Sequence, residues 1–197
     1  MRPTVVRQGV WSIVAFLSVA CLIAAPAGDL RLVDAAKHGD SGAVRSLLKQ
    51  HAGVNTPEPD GATSLSWAAH WDNLEMADLL IRAGAKVDAA NDYGVTPLML
   101  ACINGSAAMV DRLLKAGAVA TNAAFMRCTQ TGNVEAVKSL LVRGANVNAN
   151  ESRRGQTALM WAAAAKHPEV VRVLIDHGAD VHSRSKDGFT PLMFAAQ

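Results

Sequence analysis

The side chains that most often carry chemistry are few and scattered in this 197-residue sequence. Histidine occurs at six positions: His38, His51, His70, His167, His177 and His182. No two of them combine the spacing of zinc ligands with a supporting carboxylate. The pattern therefore predicts no metal site, no cofactor and no histidine-dependent catalysis, and each histidine is interpreted as a solvated side chain.

The sequence also gives no support for nucleophilic or acid–base catalysis. A catalytic thiol needs a neighbouring base, and none is evident beside Cys102 or Cys128. The segment GVNTPEPDGAT lacks the pattern of a phosphate-binding loop, so its glycines are interpreted as turn residues. Paired-carboxylate catalysis is not expected either, because the candidate acids fall on separate loops. These acids are Glu58, Asp60, Asp92 and Asp187. The sequence predicts no catalytic residue.

The first 27 residues form a segment of their own. Arg2 and Arg7 give it a positive start, the uncharged run VWSIVAFLSVACLIAA follows, and small residues close it at positions 25–27. This layout predicts a secretory signal peptide and export to the periplasm or beyond. A membrane anchor is the alternative, but the run is shorter than the roughly 18 to 20 apolar residues of a span. A lipoprotein site at Cys21 is disfavoured, because Ser18 stands where such a site has leucine.

Removal of this segment changes the charge balance. The chain has 19 basic and 17 acidic residues, and both arginines of the segment would be lost, which leaves 17 of each sign. A balanced chain gives no sign of a nucleic-acid groove. We expect no nucleic-acid partner, and no stable membrane span after cleavage.

The rest of the chain repeats with a period of about 33 residues. Pairs of large aliphatic residues recur, and their first members are 33, 33, 27 and 34 residues apart. The pairs are Leu47-Leu48, Leu80-Ile81, Leu113-Leu114, Leu140-Leu141 and Leu174-Ile175. A pair of small residues precedes each of them, and Gly-Ala follows the last four. Such a period indicates stacked units of two helices each.

Helix boundaries can be placed from residue types within each unit. Thr96 is expected to cap a helix whose first turn holds Pro97, and Thr190, Thr63 and Thr157 occupy the same position in other units. Glycine after the aliphatic pair supplies the left-handed residue that ends the second helix. His51 takes that position in the first unit, which is less favourable.

These features together resemble the ankyrin repeat family. The resemblance is carried above all by GVTPLMLACINGSAAMVDRLLKAGA and GQTALMWAAAAKHPEVVRVLIDHGADV. It covers roughly residues 29–197, essentially the whole chain after the signal segment. It implies an all-α solenoid of helix–turn–helix units whose connections project as β-turn fingers. It also implies a concave groove, and a role in protein–protein interaction.

The units are not identical, and the array is assigned to residues 28–197. Residues 29–59 are interpreted as an N-terminal capping unit. The fourth unit, near residues 121–153, is six residues short and is predicted to have no finger, no threonine cap and a weak interface. A sixth unit begins near the end of the chain with KDGFTPLMFAAQ. We expect the array to continue beyond Gln197, and the uncapped apolar end to favour self-association.

Cys102 and Cys128 occupy small-residue positions of neighbouring first helices. Core packing is the expected role of both. A disulfide is the alternative in an oxidising compartment. Equivalent Cα atoms of stacked units lie about 10 Å apart, whereas a disulfide requires less than about 7 Å. Only a distortion at the fourth unit could close this gap.

The predicted partner-binding residues follow from their position in the repeat. They occupy the fingertips and the exposed ends of the first helices: Asp60, His70, Trp71, Tyr93, Val95, Ile103, Asn104, Arg153, Arg154, Gln156 and Phe189. Exposed Trp, Tyr and Arg are enriched in interface hot spots. Trp67 and Trp161 are expected to pack in the core instead. Variable surface without function is the alternative for all eleven.

Two functions fit this organisation. The first is an exported module that binds a partner protein through its groove and fingertips, with no catalytic step. The alternative is the N-terminal targeting arm of a longer protein, with a catalytic domain beyond residue 197. Fold alone does not identify a partner.

Overall fold

The computed structural model describes residues 29–196 and contains eleven α-helices in that range. The predicted signal peptide, residues 1–27, lies outside the described residues. The helices are α1 (Arg31–Lys37), α2 (Ser41–Lys49), α3 (Ser64–His70), α4 (Leu74–Arg82), α5 (Pro97–Ile103), α6 (Ala107–Lys115), α7 (Asn122–Gln130), α8 (Val134–Val142), α9 (Ala158–Ala164), α10 (Pro168–Asp176) and α11 (Pro191–Ala195). Between residues 29 and 196 the extended structure amounts to one isolated bridge, Asn150 to Thr157.

The helices form two layers. The first helices of the units (α1, α3, α5, α7, α9 and α11) pack in sequence against one another, and each of the first five also packs on its own second helix. The second helices (α2, α4, α6, α8 and α10) form the other layer. This is the all-α solenoid that the sequence predicts. None of the helices in residues 29–196 has the length and apolarity to cross a membrane.

Alanine and the aliphatic pairs explain why the layers pack. Ala68 and Ala69 are fully buried in α3, where a small side chain lets neighbouring first helices approach. Leu80 and Leu113 are fully buried between the layers. Each unit therefore buries its apolar face against its neighbours rather than around a central core.

Three of the four predicted threonine caps are confirmed, whereas the cap predicted at Thr190 is wrong, because the Thr190 side chain makes no hydrogen bond with the start of α11. The hydroxyls of Thr63, Thr96 and Thr157 each accept a hydrogen bond from an N–H of the first helical turn. The prediction that the fourth unit has no threonine cap is wrong, because the Thr121 hydroxyl accepts from the Ala124 N–H at 3.2 Å. The helix start is preserved there although the connection before it is shortened.

Four of the five second helices end in a glycine with positive φ, as expected: Gly84, Gly117, Gly144 and Gly178. In the first unit His51 adopts the same left-handed conformation, with φ of 59°. A residue with a Cβ adopts this conformation at a cost of about 1–2 kcal/mol.

The connections between units differ in one place. Four of them contain 14 or 15 residues (50–63, 83–96, 143–157 and 177–190), whereas residues 116–121 join α6 to α7 directly. We call the four long connections the first, second, fourth and fifth fingers. The finger between the second and the fourth is absent, so the fingers form two separate pairs.

Within each pair the fingertips are joined by the same hydrogen bond. The Asp92 N–H donates to the Asp60 carbonyl at 2.8 Å, and the Lys186 N–H donates to the Arg154 carbonyl at 2.8 Å. Gly61 permits the first approach: its φ is +85°, and a Cβ there would lie 3.0 Å from the Asn91 Cα. The two pairs are thus built alike.

A disulfide joins the third and fourth units. Cys102 of α5 and Cys128 of α7 are bonded, with Cα atoms 4.5 Å apart, and both residues are fully buried. The expectation of simple core packing is therefore wrong. The distance estimate failed because the two residues are not equivalent: Cys102 is the second member of its small pair, and Cys128 is the first.

We expect the Cys102→Ala/Cys128→Ala variant to lose about 3 kcal/mol of unfolding free energy, because the bridge closes a loop with a sequence separation of 26 residues. Urea unfolding of the variant and the parent protein, each with and without reductant, measures the difference. Reductant should destabilise only the parent. Equal midpoints for the parent in both conditions would contradict a formed disulfide.

Candidate functional site on the groove face

The predicted binding residues lie on one surface, which we call the groove face. It consists of the fingers and of the C-terminal ends of the first helices. On the fingertips, Asp60, Tyr93, Arg153 and Arg154 are exposed, and the Tyr93 side chain is 83% accessible. Val95 and Gln156 are partly buried at the bases of their fingers. The fingertips thus present large and charged groups.

The ends of the first helices supply the second part of the groove face. His70 and Trp71 close α3, and Ile103 and Asn104 close α5 in the same way. All four are exposed, and Trp71 is 52% accessible. Its indole N–H donates to the Lys37 carbonyl at 3.0 Å, which fixes the ring across two units.

Asn104 is engaged within the array. Its side-chain amide donates to the Ala69 carbonyl at 3.0 Å and to the His70 carbonyl at 2.7 Å. These acceptors are carbonyls at the end of α3, which have no partner inside that helix. Asn104 therefore ties α5 to α3, and this structural role accounts for its residue type.

Phe189 lies apart from the others, on the fifth finger. Its ring packs against Phe194 of α11 with 6.0 Å between ring centroids. It remains partly accessible. Among the predicted residues it belongs to the C-terminal end of the groove face, as do Arg153, Arg154 and Gln156.

A polar cluster that the sequence does not predict lies at the N-terminal end of the groove face. Trp67 is partly buried and packs against the core, and its indole N–H donates to Glu58 Oε2 at 2.7 Å. Lys37 Nζ lies 2.7 Å from Glu58 Oε1 and 5.2 Å from the centroid of the Trp67 ring. One carboxylate thus connects a lysine and a tryptophan of two neighbouring units.

The electrostatics of this cluster follow from its geometry. The hydrogen bond to Glu58 raises the pKa of Lys37, against a lowering effect of desolvation, and the charges of Asp34 and Asp60 add to the rise. The Glu58 side chain is only 11% accessible. His70 and Trp71 flank the Trp67 ring at centroid distances of 5.5 and 6.5 Å. The result is an aromatic surface built around a nearly buried ion pair.

The C-terminal end of the groove face is basic. Arg127, Arg153, Arg154 and Lys186 are all exposed there. Two acids lie on the same fingers. Asp187 is exposed beside Lys186, and the Glu151 carboxylate accepts backbone N–H bonds from Arg153, Arg154 and Gln156. Burial tends to raise the pKa of Glu151, but these hydrogen bonds and the Lys186 charge lower it overall.

A depression of about 350 Å³ lies at the same end of the groove face. It is lined by Gln130, Gln156, Met160, Trp161, Ala164, Ala165 and Phe194. Trp161 is partly buried, like Trp67, and both pack against the core at its edge. Within the part of the chain that the structure describes, no acceptor lies within hydrogen-bond distance of the Trp161 indole nitrogen.

A second depression, of about 610 Å³, lies at the end of the array. It is mostly apolar, and its walls come from α9, α10, α11 and the fifth finger, including Ile175, Val181 and Leu192. Leu192 is 78% accessible because no second helix packs on α11 within residues 29–196. In the same range no cluster of three or more His, Cys, Asp or Glu side chains is arranged to hold a metal ion.

Comparison with known proteins identifies the array. The family model for ankyrin repeats (3 copies) matches residues 32–123 and 125–197. The chain belongs to the ankyrin repeat family. Ankyrin repeats are protein–protein interaction modules, and in general they are not catalytic.

The relatives are ankyrin repeat proteins of several sizes. The chain is 27% identical over 179 residues to the ankyrin repeat protein YahD of Escherichia coli K12, covering 83% of this chain and 87% of YahD. It is 32% identical over 180 residues to NF-kappa-B inhibitor alpha of Gallus gallus, covering 83% of this chain and 57% of the inhibitor. The chain thus spans just over half of that second relative.

A solved structure is similar over most of its length. It is a chain in the complex of the Bd0816 predatory endopeptidase from Bdellovibrio bacteriovorus with immunity protein Bd3460. The TM-score is 0.78 at 29% sequence identity, and the match covers 86% of this chain and 92% of that one. Helix order and stacking are therefore shared.

Asn104 and Tyr93 should respond differently to truncation. We expect Asn104→Ala to lower the unfolding free energy by about 1–2 kcal/mol, because the His70 carbonyl loses its donor and the Ala69 carbonyl keeps only the Asp72 N–H. Tyr93→Ala should leave it within about 0.5 kcal/mol, because the ring is on the surface. Urea unfolding of both variants measures this. Equal effects would mean that the Asn104 tie contributes nothing.

Proposed function

We propose that this protein is an exported ankyrin repeat module that binds a partner protein through its groove face. The surface of the first two fingers and of α3 and α5 carries the proposal. Trp71 and Tyr93 are both more than half accessible and stand beside the acidic residues Glu58, Asp60 and Asp92. Rigid aromatic rings on a fixed scaffold are the usual anchors of protein interfaces.

The rigidity of this surface favours binding. Trp71 is held by its hydrogen bond to the Lys37 carbonyl and by contact with the Trp67 and His70 rings. A pre-ordered side chain loses little conformational entropy when a partner covers it. Binding energy is therefore available without prior rearrangement of α3.

Export is supported by two independent features. The first is the charged, apolar and small-residue layout of residues 1–27. The second is the Cys102–Cys128 disulfide, because such bonds persist in the periplasm and outside cells but are rare in the cytosol. We therefore assign the module to the periplasm or the extracellular space.

The relatives favour a folded protein as the partner. One is named for the inhibition of NF-kappa-B, and the similar solved chain comes from a complex of an endopeptidase with an immunity protein. These names describe those proteins. They support a protein ligand for the present array rather than a substrate that is chemically transformed.

The test is capture of an exported partner with a matched surface variant. Tagged protein is incubated with an envelope and secreted-protein extract, beside the Trp71→Ala/Tyr93→Ala variant. We expect prey bound by the parent and lost from the variant, whose circular dichroism should be unchanged. If a folded variant still captures the same proteins, this surface is not the binding site.

We also propose that copies of the chain associate through the apolar depression beside α11. Ile175, Val181 and Leu192 are exposed apolar side chains that line it together, and apolar surfaces of this kind mark interaction sites.

Sedimentation of the purified protein at increasing concentration checks this association. We expect dimers or larger species that dissociate in the Leu192→Glu variant, because a charge cannot be buried unpaired at an apolar interface. A monomer at high micromolar concentration would exclude the idea.

A further inference from the structure

The second and fifth units can be compared position by position. Their small pairs, Ala68-Ala69 and Ala162-Ala163, place Trp67 in register with Trp161. The small pairs of the preceding units place Lys37 in register with Gln130. The finger hydrogen bonds, Glu58 N–H to Ala62 and Glu151 N–H to Gln156, place Glu58 in register with Glu151.

In the second unit these positions form a complete hydrogen-bonded set. The Glu58 carboxylate accepts from the Trp67 indole N–H at 2.7 Å and from the Lys37 ammonium at 2.7 Å. It is nearly buried between them. The array itself therefore contains an example of a carboxylate seated between a tryptophan and the donor of the preceding unit.

In the fifth unit the carboxylate is missing from this place. The fourth finger has one extra residue, and Glu151 is turned to the backbone N–H groups of Arg153, Arg154 and Gln156. Trp161 Nε1 is buried, and no described residue accepts its hydrogen bond. A buried donor without a partner is destabilising, which favours any group that supplies an acceptor.

There is room for such a group. Ala164 and Ala165 occupy the positions that His70 and Trp71 fill in the second unit, and the 350 Å³ depression lies over them. Trp161 and Gln130 both line it. The Trp161 indole nitrogen is buried, so an acceptor must displace lining side chains to reach it. Gln130 and Gln156 line the depression, and their long, unbranched side chains have the freedom to shift.

The surrounding charges determine which acceptor fits. Arg127 Nη1 lies 3.2 Å from Gln130 Oε1, which leaves the amide hydrogens of Gln130 to donate. Arg153, Arg154 and Lys186 are exposed on the two nearest fingers. Of the two acids on these fingertips, Glu151 is already bonded to backbone N–H groups, and Asp187 is exposed beside Lys186. The lining itself is uncharged. Its two donors, Gln130 and Trp161, and the three basic residues of the neighbouring fingers together favour an anionic acceptor.

We infer that the depression between Gln130 and Trp161 is a subsite for a carboxylate of the partner protein, supplied by an Asp or Glu side chain. The partner carboxylate takes the place that Glu58 takes in the second unit. The inference rests on the proposed binding function and adds the chemistry of one contact. The two ends of the groove face then have different roles, since the aromatic anchors lie at one end and this subsite lies at the other.

The experiment uses a fluorescein-labelled acidic peptide rich in Glu and a twin in which every Glu is Gln. Fluorescence anisotropy with the purified protein should detect binding of the acidic peptide only, weakened by salt. Trp161→Phe should weaken it about tenfold, because the indole donor to a charged acceptor is lost while an aromatic ring remains.

Two further variants serve as controls. Trp67→Phe makes the same change at the other end of the array and should leave the peptide affinity unaltered. Ala165→Trp introduces the residue of the second unit and should abolish binding by filling the depression. That variant removes no donor, so it keeps the test decisive if Trp161→Phe fails to fold.

The outcomes separate the two proposals. Equal binding of both peptides, or an affinity unchanged in Trp161→Phe and Ala165→Trp, overturns the carboxylate subsite. If the captured partner is nevertheless lost in Trp71→Ala/Tyr93→Ala, the binding function stands without it. If neither peptide binds, and the captured partner binds the Trp71→Ala/Tyr93→Ala variant as well as it binds the parent, both proposals are overturned.

Discussion

Each helix pair in this array can bury its apolar face only against the next pair. The small residues of the first helices and the aliphatic pairs of the second helices both follow from this constraint. So do the polar ties between units, because the carbonyls at the end of one first helix receive their donor from the following unit, as Asn104 does for α3. Function is then confined to positions that the stacking leaves unused.

Two ends of the groove face use those positions differently. At the N-terminal end, Glu58 satisfies Trp67 and Lys37 inside the array, and the exposed rings of Trp71 and Tyr93 are left for a partner. At the C-terminal end, alanines replace the large residues, and no described residue accepts a hydrogen bond from the Trp161 indole. One repeat pattern thus supports an aromatic surface and an uncharged depression with basic fingers nearby, separated by the missing finger.

Much of this organisation is predictable from the sequence. The period, the threonine caps and the glycine helix ends depend on local backbone chemistry, and they place Trp71 and Tyr93 on the surface correctly. The disulfide was not predictable in the same way, because its geometry depends on how α5 and α7 approach where the finger is absent. The Trp67–Glu58 pair depends on side-chain conformations at a partly buried surface, which the repeat period does not specify. Glu58 and Glu151 occupy equivalent positions in their units, as Trp67 and Trp161 do, and this equivalence is the signal in the sequence that relates the two tryptophans.

The bridge between Cys102 and Cys128 also alters how the array would carry a mechanical load. A force applied at the two ends of the chain passes through the sulfur–sulfur bond and bypasses the segment between the cysteines, which contains the whole of α6. That segment adds nothing to the extended length, a reduction of roughly 90 Å at about 3.5 Å per residue. Elsewhere in the described array only non-covalent interfaces resist the separation of neighbouring units. The third and fourth units, between which the finger is missing, are cross-linked by the disulfide.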